Sequence, residues 1–209
     1  EEQIALRLIC AADTRDDGET GSHIRRLGLY SELMAKHLNW RQDKIDEIRI
    51  AAPMHDIGKI GIPDAILKKP GKLTSDEFEI MKSHAPIGSR ILSNSKSSLV
   101  KMAQEISLGH HEKWDGSGYP NGLSGKDIPQ SARIVAIVDV FDALIHKRIY
   151  KDKMSVEDAI EIMMEGRETH FDPKLFDLFL QLKDEITQIS RNFDDPLCRE
   201  LNELSIDQR

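Results

Sequence analysis

The sequence predicts an all-α domain, and three observations carry that expectation. Apolar residues recur at helical spacing almost throughout, few stretches alternate with the period of two that strands require, and helix-start signals recur along the chain. Thr74 with Glu77 three residues later reads as a capping box, Ser155 opens the run Val156-Glu157-Asp158, and Asp172 caps a first-turn Pro173. Helices are therefore expected near residues 2–14, 20–38, 43–58, 74–92, 97–110, 130–147, 155–165 and 173–190, with room for a short one after Pro196. Pro53 cannot donate its backbone hydrogen bond, so the third of these should kink there.

The bulk properties narrow the class. At 209 residues the chain can bury one substantial core, and a second full domain would be crowded. The expected domain spans 1–190, and the acidic, polar segment 191–209 is read as a tail that frays or contacts a partner. No apolar run approaches the roughly 20 residues of a membrane span. The opening Glu1-Glu2-Gln3 has no basic or apolar targeting character and reads as the start of a piece of a longer chain. Cys10 and Cys198 stand far apart and outside any C-x-x-C pattern, which excludes a disulfide framework and suits a reducing cytoplasm. A net charge of -7 argues against coating DNA or RNA polymers. An anionic substrate would need local positive charge.

One constellation carries chemistry. His23, the pair His55-Asp56, His84, the pair His110-His111 and Asp139 supply five imidazoles and two carboxylates, the donors that borderline transition metals prefer. That exceeds one tetrahedral zinc and suits two or more octahedral ions, with Asp56 able to bridge them. Side chains lining a helical bundle core are a standard housing for such a centre. Adjacent residues on an ideal helix diverge by about 100°, so His55 and Asp56 can serve one cluster only at its edge or through a backbone distortion. His37, His146 and His170 fall outside the set and are read as surface histidines. The longest non-helical stretch, about 112–129, is rich in glycine and proline. Its Trp114, Tyr119, Leu123 and Ile128 favour an ordered loop packed on something.

His55-Asp56-Ile57-Gly58-Lys59 and His110-His111-Glu112-Lys113-Trp114-Asp115-Gly116-Ser117-Gly118-Tyr119-Pro120 resemble the two signatures of the HD-GYP family, a branch of the HD phosphohydrolase superfamily. The resemblance runs from about residue 5 to 182. It takes in Lys69-Pro70-Gly71-Lys72-Leu73-Thr74 before His84, the helix bearing Asp139, and Thr169-His170-Phe171-Asp172-Pro173. It implies a helical HD-type bundle with a Gly-Tyr-Pro loop and a centre of two or three divalent transition ions, Fe or Mn first, with Ni or Zn as alternatives. By motif position it gives ligand roles to His23, His55, Asp56, His84, His110, His111 and Asp139. Glu19, four residues before His23, resembles the carboxylate of trinuclear members and would share a helical face with that histidine.

The implied activity is hydrolysis of cyclic di-GMP to linear pGpG, GMP or both, with His55, Asp56 and Lys59 at the reacting phosphate. Lys59 follows Asp56 by three and His55 by four, so it should project from the same face. Tyr119, Arg148 and Lys151 match positions that line the substrate pocket or grip phosphate and guanine. The chain departs from the family at Ile145-His146-Lys147 and Ile149-Tyr150, where relatives commonly carry a Thr-Ser-Asp-like run and a proline. Base preference is therefore open to cyclic GMP-AMP. Two other classes compete: a nucleotide phosphohydrolase, which does not need the Gly-Tyr-Pro loop, and a non-catalytic cyclic-dinucleotide receptor or docking domain. Expected partners are an N-terminal sensor or receiver domain and a polypeptide at the loop; a homodimer is left open.

Overall fold

Helices account for the regular structure of residues 22–146 and 154–194, which the computed structural model describes. In chain order they are α1 (Ser22–His37), α2 (Gln42–Ala51), α3 (Asp64–Leu67), α4 (Ser75–Lys82), α5 (His84–Ile91) and α6 (Ser98–Gly109). α7 (Gln130–Ile145), α8 (Val156–Glu165), α9 (Pro173–Gln181) and α10 (Lys183–Asp194) follow. Among the described residues there is no sheet, and a single bridge joins Arg167 to Phe171. The helix expected over 2–14, Glu19, Arg148, Lys151, both cysteines and the chain after Asp194 lie outside the described residues.

The expected capping signals are made. Thr74 accepts from the Glu77 amide while the Glu77 carboxylate accepts from the Thr74 amide, Ser155 accepts from Asp158, and Asp172 accepts from Lys174 and Leu175.

Three expected helices divide, two of them for a chemical reason. The helix expected over 43–58 stops as α-helix at Ala51 and tightens into a 3₁₀ turn, Ala52–Met54, because Pro53 has no amide to give the Arg49 carbonyl. That carbonyl faces Gly28 of α1, where a Cβ would lie 2.5 Å from it. The helix expected over 74–92 breaks at Ser83 because Pro86 cannot donate back to Lys82. The helix expected over 173–190 breaks at Leu182, and α10 runs on to Asp194, past the boundary drawn at residue 190.

α7 is the axis of the fold. Ala132, Ile134, Val135, Ile137, Val138, Phe141 and Ile145 are buried, so this helix is covered nearly all round. α1 brings Leu27, Tyr30 and Met34 to it, α2 brings Ile48, α6 brings Ile106, and α9 brings Phe176 and Phe179. Burying each such side chain contributes about 1.5–3 kcal/mol. A smaller cluster of Ile62, Ile66 and Leu67, covered by Leu73, Met81 and Ile87, seats the segment after Asp56 on α4 and α5.

That seat depends on a glycine pair. The 3₁₀ turn Ile57–Gly61 runs so close to α5 that a Cβ on Gly58 would lie 1.9 Å from the His84 carbonyl oxygen and 2.5 Å from the Gly88 amide. The obstacles are backbone atoms of the helix that carries His84, so relaxation must move that helix. Gly58→Ala is expected to lower the stability of the full chain by about 2–3 kcal/mol, read as a lower urea midpoint; an unchanged midpoint would contradict this packing.

Candidate metal centre

The folding just described brings all seven candidate ligands within the described residues into one place, in two groups. Asp56, His84, His110 and His111 form one; His23, His55 and Asp139 form the other. The donor atoms within each group lie within 4.8 Å of one another. Asp56 joins the groups. Its Oδ1 is 3.2 Å from His84 Nε2 and 3.6 Å from His110 Nε2, while its Oδ2 is 3.2 Å from His55 Nε2. His55 Nε2 and His23 Nε2 stand 3.8 and 3.7 Å from Asp139 Oδ1.

The backbone distortion that adjacent ligands require is present. His55 ends the 3₁₀ turn at φ -52°, ψ -40°, and Asp56 departs from it at φ -100°, ψ 10°. Both side chains then face one cluster. Lys59, in the next turn, places Nζ 2.8 Å from Asp56 Oδ2 at the edge of the site.

The histidines are aimed by their outer nitrogens. Nδ1 of His55 donates to Ala52 O, that of His84 to Met81 O, and that of His110 to Ile106 O and Ser107 O. His23 Nδ1 donates to the Asp142 carboxylate at 2.7 Å. Each therefore turns Nε2 to the interior, the arrangement that metal-ligating histidines adopt. His84 Nε2 and His110 Nε2 stand 3.4 Å apart. His55 Nε2 and Asp56 Oδ1 are buried and make no hydrogen bond within the protein. Unsatisfied buried polar atoms cost about 1–3 kcal/mol each, and a divalent ion held between them would remove that cost. The residues fit such ions.

The electrostatics agree. Burial disfavours charge on Asp56, but Lys59 and His55 hold its carboxyl well below the usual range. Burial likewise opposes charge on His55, yet Asp56 and then Asp139 raise its pKa to about 9. His84 is pushed down by burial against the pull of Asp56, and His111 far down by burial and the neighbouring His110. His84 and His111 are thus held in the neutral, metal-binding form, whereas His55 holds a proton beside Asp56 that a bound ion would displace.

The Gly-Tyr-Pro loop is ordered by main-chain bonds. The buried Glu112 carboxylate accepts from the amides of Asn121 (2.7 Å) and Leu123 (3.0 Å). Trp114 and Asp115 amides donate to the carbonyls of His170 and Thr169. A Cβ on Gly118 would lie 2.3 Å from the Lys113 amide, so only glycine fits there. The loop delivers Tyr119 onto His111, ring centroids 4.7 Å apart and planes at 28°. Burial, then the charge of Asp56, raises the Tyr119 pKa, which keeps the phenol neutral.

Several residues depart from the sequence expectation. His146, expected at the surface, is buried, its Nδ1 donating to Asp142 O and its Nε2 accepting from Ser190 Oγ. His170 is partly covered and stacks on Phe171 at 4.4 Å; His37 is exposed, as expected. Asp142, Arg26 and Glu112 were not singled out. The available signal for Asp142 was a second acid in the otherwise apolar run of α7, which demands a buried partner.

A helical bundle whose core holds two His/Asp groups around the His55-Asp56 pair defines an HD-type metal domain. The chain belongs to the HD domain family, whose model matches residues 13–175. It is similar to a probable cyclic di-GMP phosphodiesterase of Vibrio cholerae, 47% identical over 93% of this chain and 47% of that protein. Similarity to a 3'3'-cGAMP-specific phosphodiesterase 2 of the same organism is also 47%, over 92% of this chain and 37% of the relative. A cyclic di-GMP phosphodiesterase of Thermotoga maritima is 47% identical over 84% of this chain and 48% of its own length. The chain thus spans about half or less of the length of these relatives. Among solved structures, a cyclic GMP-AMP specific phosphodiesterase of Vibrio cholerae shares the fold at TM-score 0.68 and 16% identity, covering 99% of this chain and 53% of that one.

Glu112 gives this geometry a direct test. Glu112→Gln leaves one side-chain oxygen to serve two amides and puts a donor against the other, so the loop should loosen. The expected outcome is a loss of about 1.5–3 kcal/mol and faster proteolysis within 112–129; a loop as resistant as in the parent protein would refute the anchoring role.

Proposed function

We propose that this domain hydrolyses a cyclic dinucleotide, cyclic di-GMP first, at a centre of two or three divalent transition ions, Fe or Mn before Ni or Zn. The observation that carries this reading is Asp56, which presents one carboxylate oxygen to each group of histidines. His23, His55 and Asp139 would hold one ion, His84, His110 and His111 a second, with Asp56 shared, and Glu19 would contribute to a third. When bound, a pair of such ions supplies Lewis acidity at a phosphodiester oxygen and brings the pKa of water towards neutrality.

The residues of the chain do the rest. Lys59 stands beside Asp56, where its ammonium can meet the charge that develops on phosphate as water attacks in line with the departing ribose 3′-oxygen. Asp56, held ionised, keeps Lys59 in place. Tyr119 forms a neutral aromatic wall over His111 at the entrance. Arg148 and Lys151 complete the grip on phosphate and base. The first cut yields pGpG, and a second yields GMP.

The relatives support the substrate class. Two of them at 47% identity are named for cyclic di-GMP and one for 3'3'-cGAMP, so cyclic GMP-AMP stands as the second reading. A receiver domain as the domain's partner is supported by a further relative, 42% identical over 92% of this chain and named a cyclic di-GMP phosphodiesterase response regulator. No described helix is long and apolar enough to cross a membrane, and we place the domain in the cytoplasm.

Two variants test the scheme in protein loaded anaerobically with Fe(II) or Mn(II). Asp56→Ala should lose bound metal and turnover of cyclic di-GMP together. Lys59→Ala should keep its metal and lose about 10²–10³-fold in kcat. Full turnover by the Asp56 variant sinks the metal mechanism, and unchanged kcat in the Lys59 variant removes that lysine from it. Metal-loaded parent protein that binds cyclic di-GMP without forming pGpG or GMP would identify a receptor instead.

A further inference from the structure

Four of the candidate ligand histidines have described Nδ1 partners, and they are not aimed in the same way. His55, His84 and His110 donate to backbone carbonyls of their own turns, fixed by the helix geometry. His23 alone among them donates to a side chain, Asp142, one turn beyond Asp139 on α7. A carboxylate behind an imidazole makes its ligating nitrogen more basic and fixes its tautomer, whereas a neutral carbonyl does so more weakly.

Asp142 is itself held from every side. Arg26, one turn after His23 on α1, grips it with a fork: Nε to Oδ1 at 2.7 Å and an Nη to Oδ2 at 2.8 Å. His146 Nδ1 lies 3.2 Å from Oδ1, and Ser190 of α10 donates to His146 Nε2 at 3.1 Å. All these side chains are buried; Asp142 is 1% exposed and Arg26 2%. Replacing such a group by well-packed apolar residues is often neutral for stability, so stability alone does not account for it.

We infer that Asp142, locked by Arg26, is a positioning residue for His23 and makes the His23/His55/Asp139 half of the centre depend on a carboxylate that the Asp56/His84/His110/His111 half does not use. The two halves therefore hold their ions with separately adjustable strength, and the network extends the control of one ion to α10 through His146 and Ser190. This rests on the reading of the site as a metal centre.

The test measures metal, not turnover. The full chain, loaded anaerobically with Mn(II), is analysed for metal per chain and for the rate of release to a chelator, with helical content followed by circular dichroism. Asp142→Asn offers His23 an amide in place of a carboxylate. One ion should leave that variant at least tenfold faster, in line with the 10–100-fold effect on affinity of removing such a partner, while the other leaves at the parent rate. Because the variant takes the carboxylate away from Arg26, Arg26→Met/Asp142→Asn is examined in parallel, and the same single-ion loss is expected. Asp142→Glu should recover part of the lost retention. Parent-like release from both variants overturns the inference. So does equal loss of every ion in both variants, which would mark Asp142 as merely structural. A parent protein that retains no metal would instead defeat the metal reading itself.

Discussion

Everything at this site turns on one carboxylate that is kept ionised where water is largely excluded. A buried aspartate stands only if cations or strong donors surround it, and Asp56 has Lys59 on one oxygen and imidazoles around both. The arrangement requires Asp56 to leave helical geometry one residue after His55, which the sequence achieves with Pro53 before it and Gly58 after it. Proline ends the α-helix; glycine lets the following turn lie against the His84 carbonyl. The polar centre and the glycine contact are therefore one constraint: α5 must come close for His84 to reach Asp56, and only a residue without a side chain permits the approach.

The two carboxylates of α7 show how such a centre coexists with an apolar core. Asp139 and Asp142 sit one turn apart on a helix otherwise filled by Ile134, Val135, Val138 and Phe141. Asp139 faces the histidines, whereas burial alone would drive Asp142 towards its neutral form. Hydrogen bonds from His146, His23 and Arg26 outweigh that and hold it well below the usual carboxylate range. Each charge buried in this helix is matched by residues of other elements, so the core cannot assemble with α1 out of register. His23 and Arg26, three residues apart, both need α7, and Leu27 and Tyr30 seal the same face.

The sequence made visible what depends on local pattern. Seven candidate metal-binding side chains stand out because histidine and aspartate at helical positions are chemically distinctive, and the capping signals at Thr74, Ser155 and Asp172 act within a few residues of themselves. Breaks at Ser83 and Leu182 were missed because a hydrophobic period continues across them. Pro86 was a usable signal for the first; Leu182 carries none. His146 was misjudged for a different reason: its burial depends on Ser190 of α10, forty-four residues away. Glu112 lay in plain view beside His111, but its function is to collect amides from Asn121 and Leu123, a pattern that exists only once the loop has closed.

Metal chemistry and substrate choice are also written in different parts of the chain. The ligands are fixed by α1, the turns around Asp56, and the ends of α5, α6 and α7, where any change disturbs several buried partners. Relatives equally similar to this domain bear names for two different cyclic dinucleotides, so overall identity does not decide the base. On the proposed function, discrimination is least costly where side chains can change without disturbing the candidate ligands. On its sequence the segment after Ile145, where Lys147 and Ile149 flank Arg148, meets that condition: it carries none of the seven candidate ligands. Tyr119 does not, because its ring lies on His111 and its loop is tied to Glu112 and the Thr169–His170 carbonyls. On the proposed function, the loop would supply a common aromatic wall, and the residues following α7 would be the ones that vary with the base.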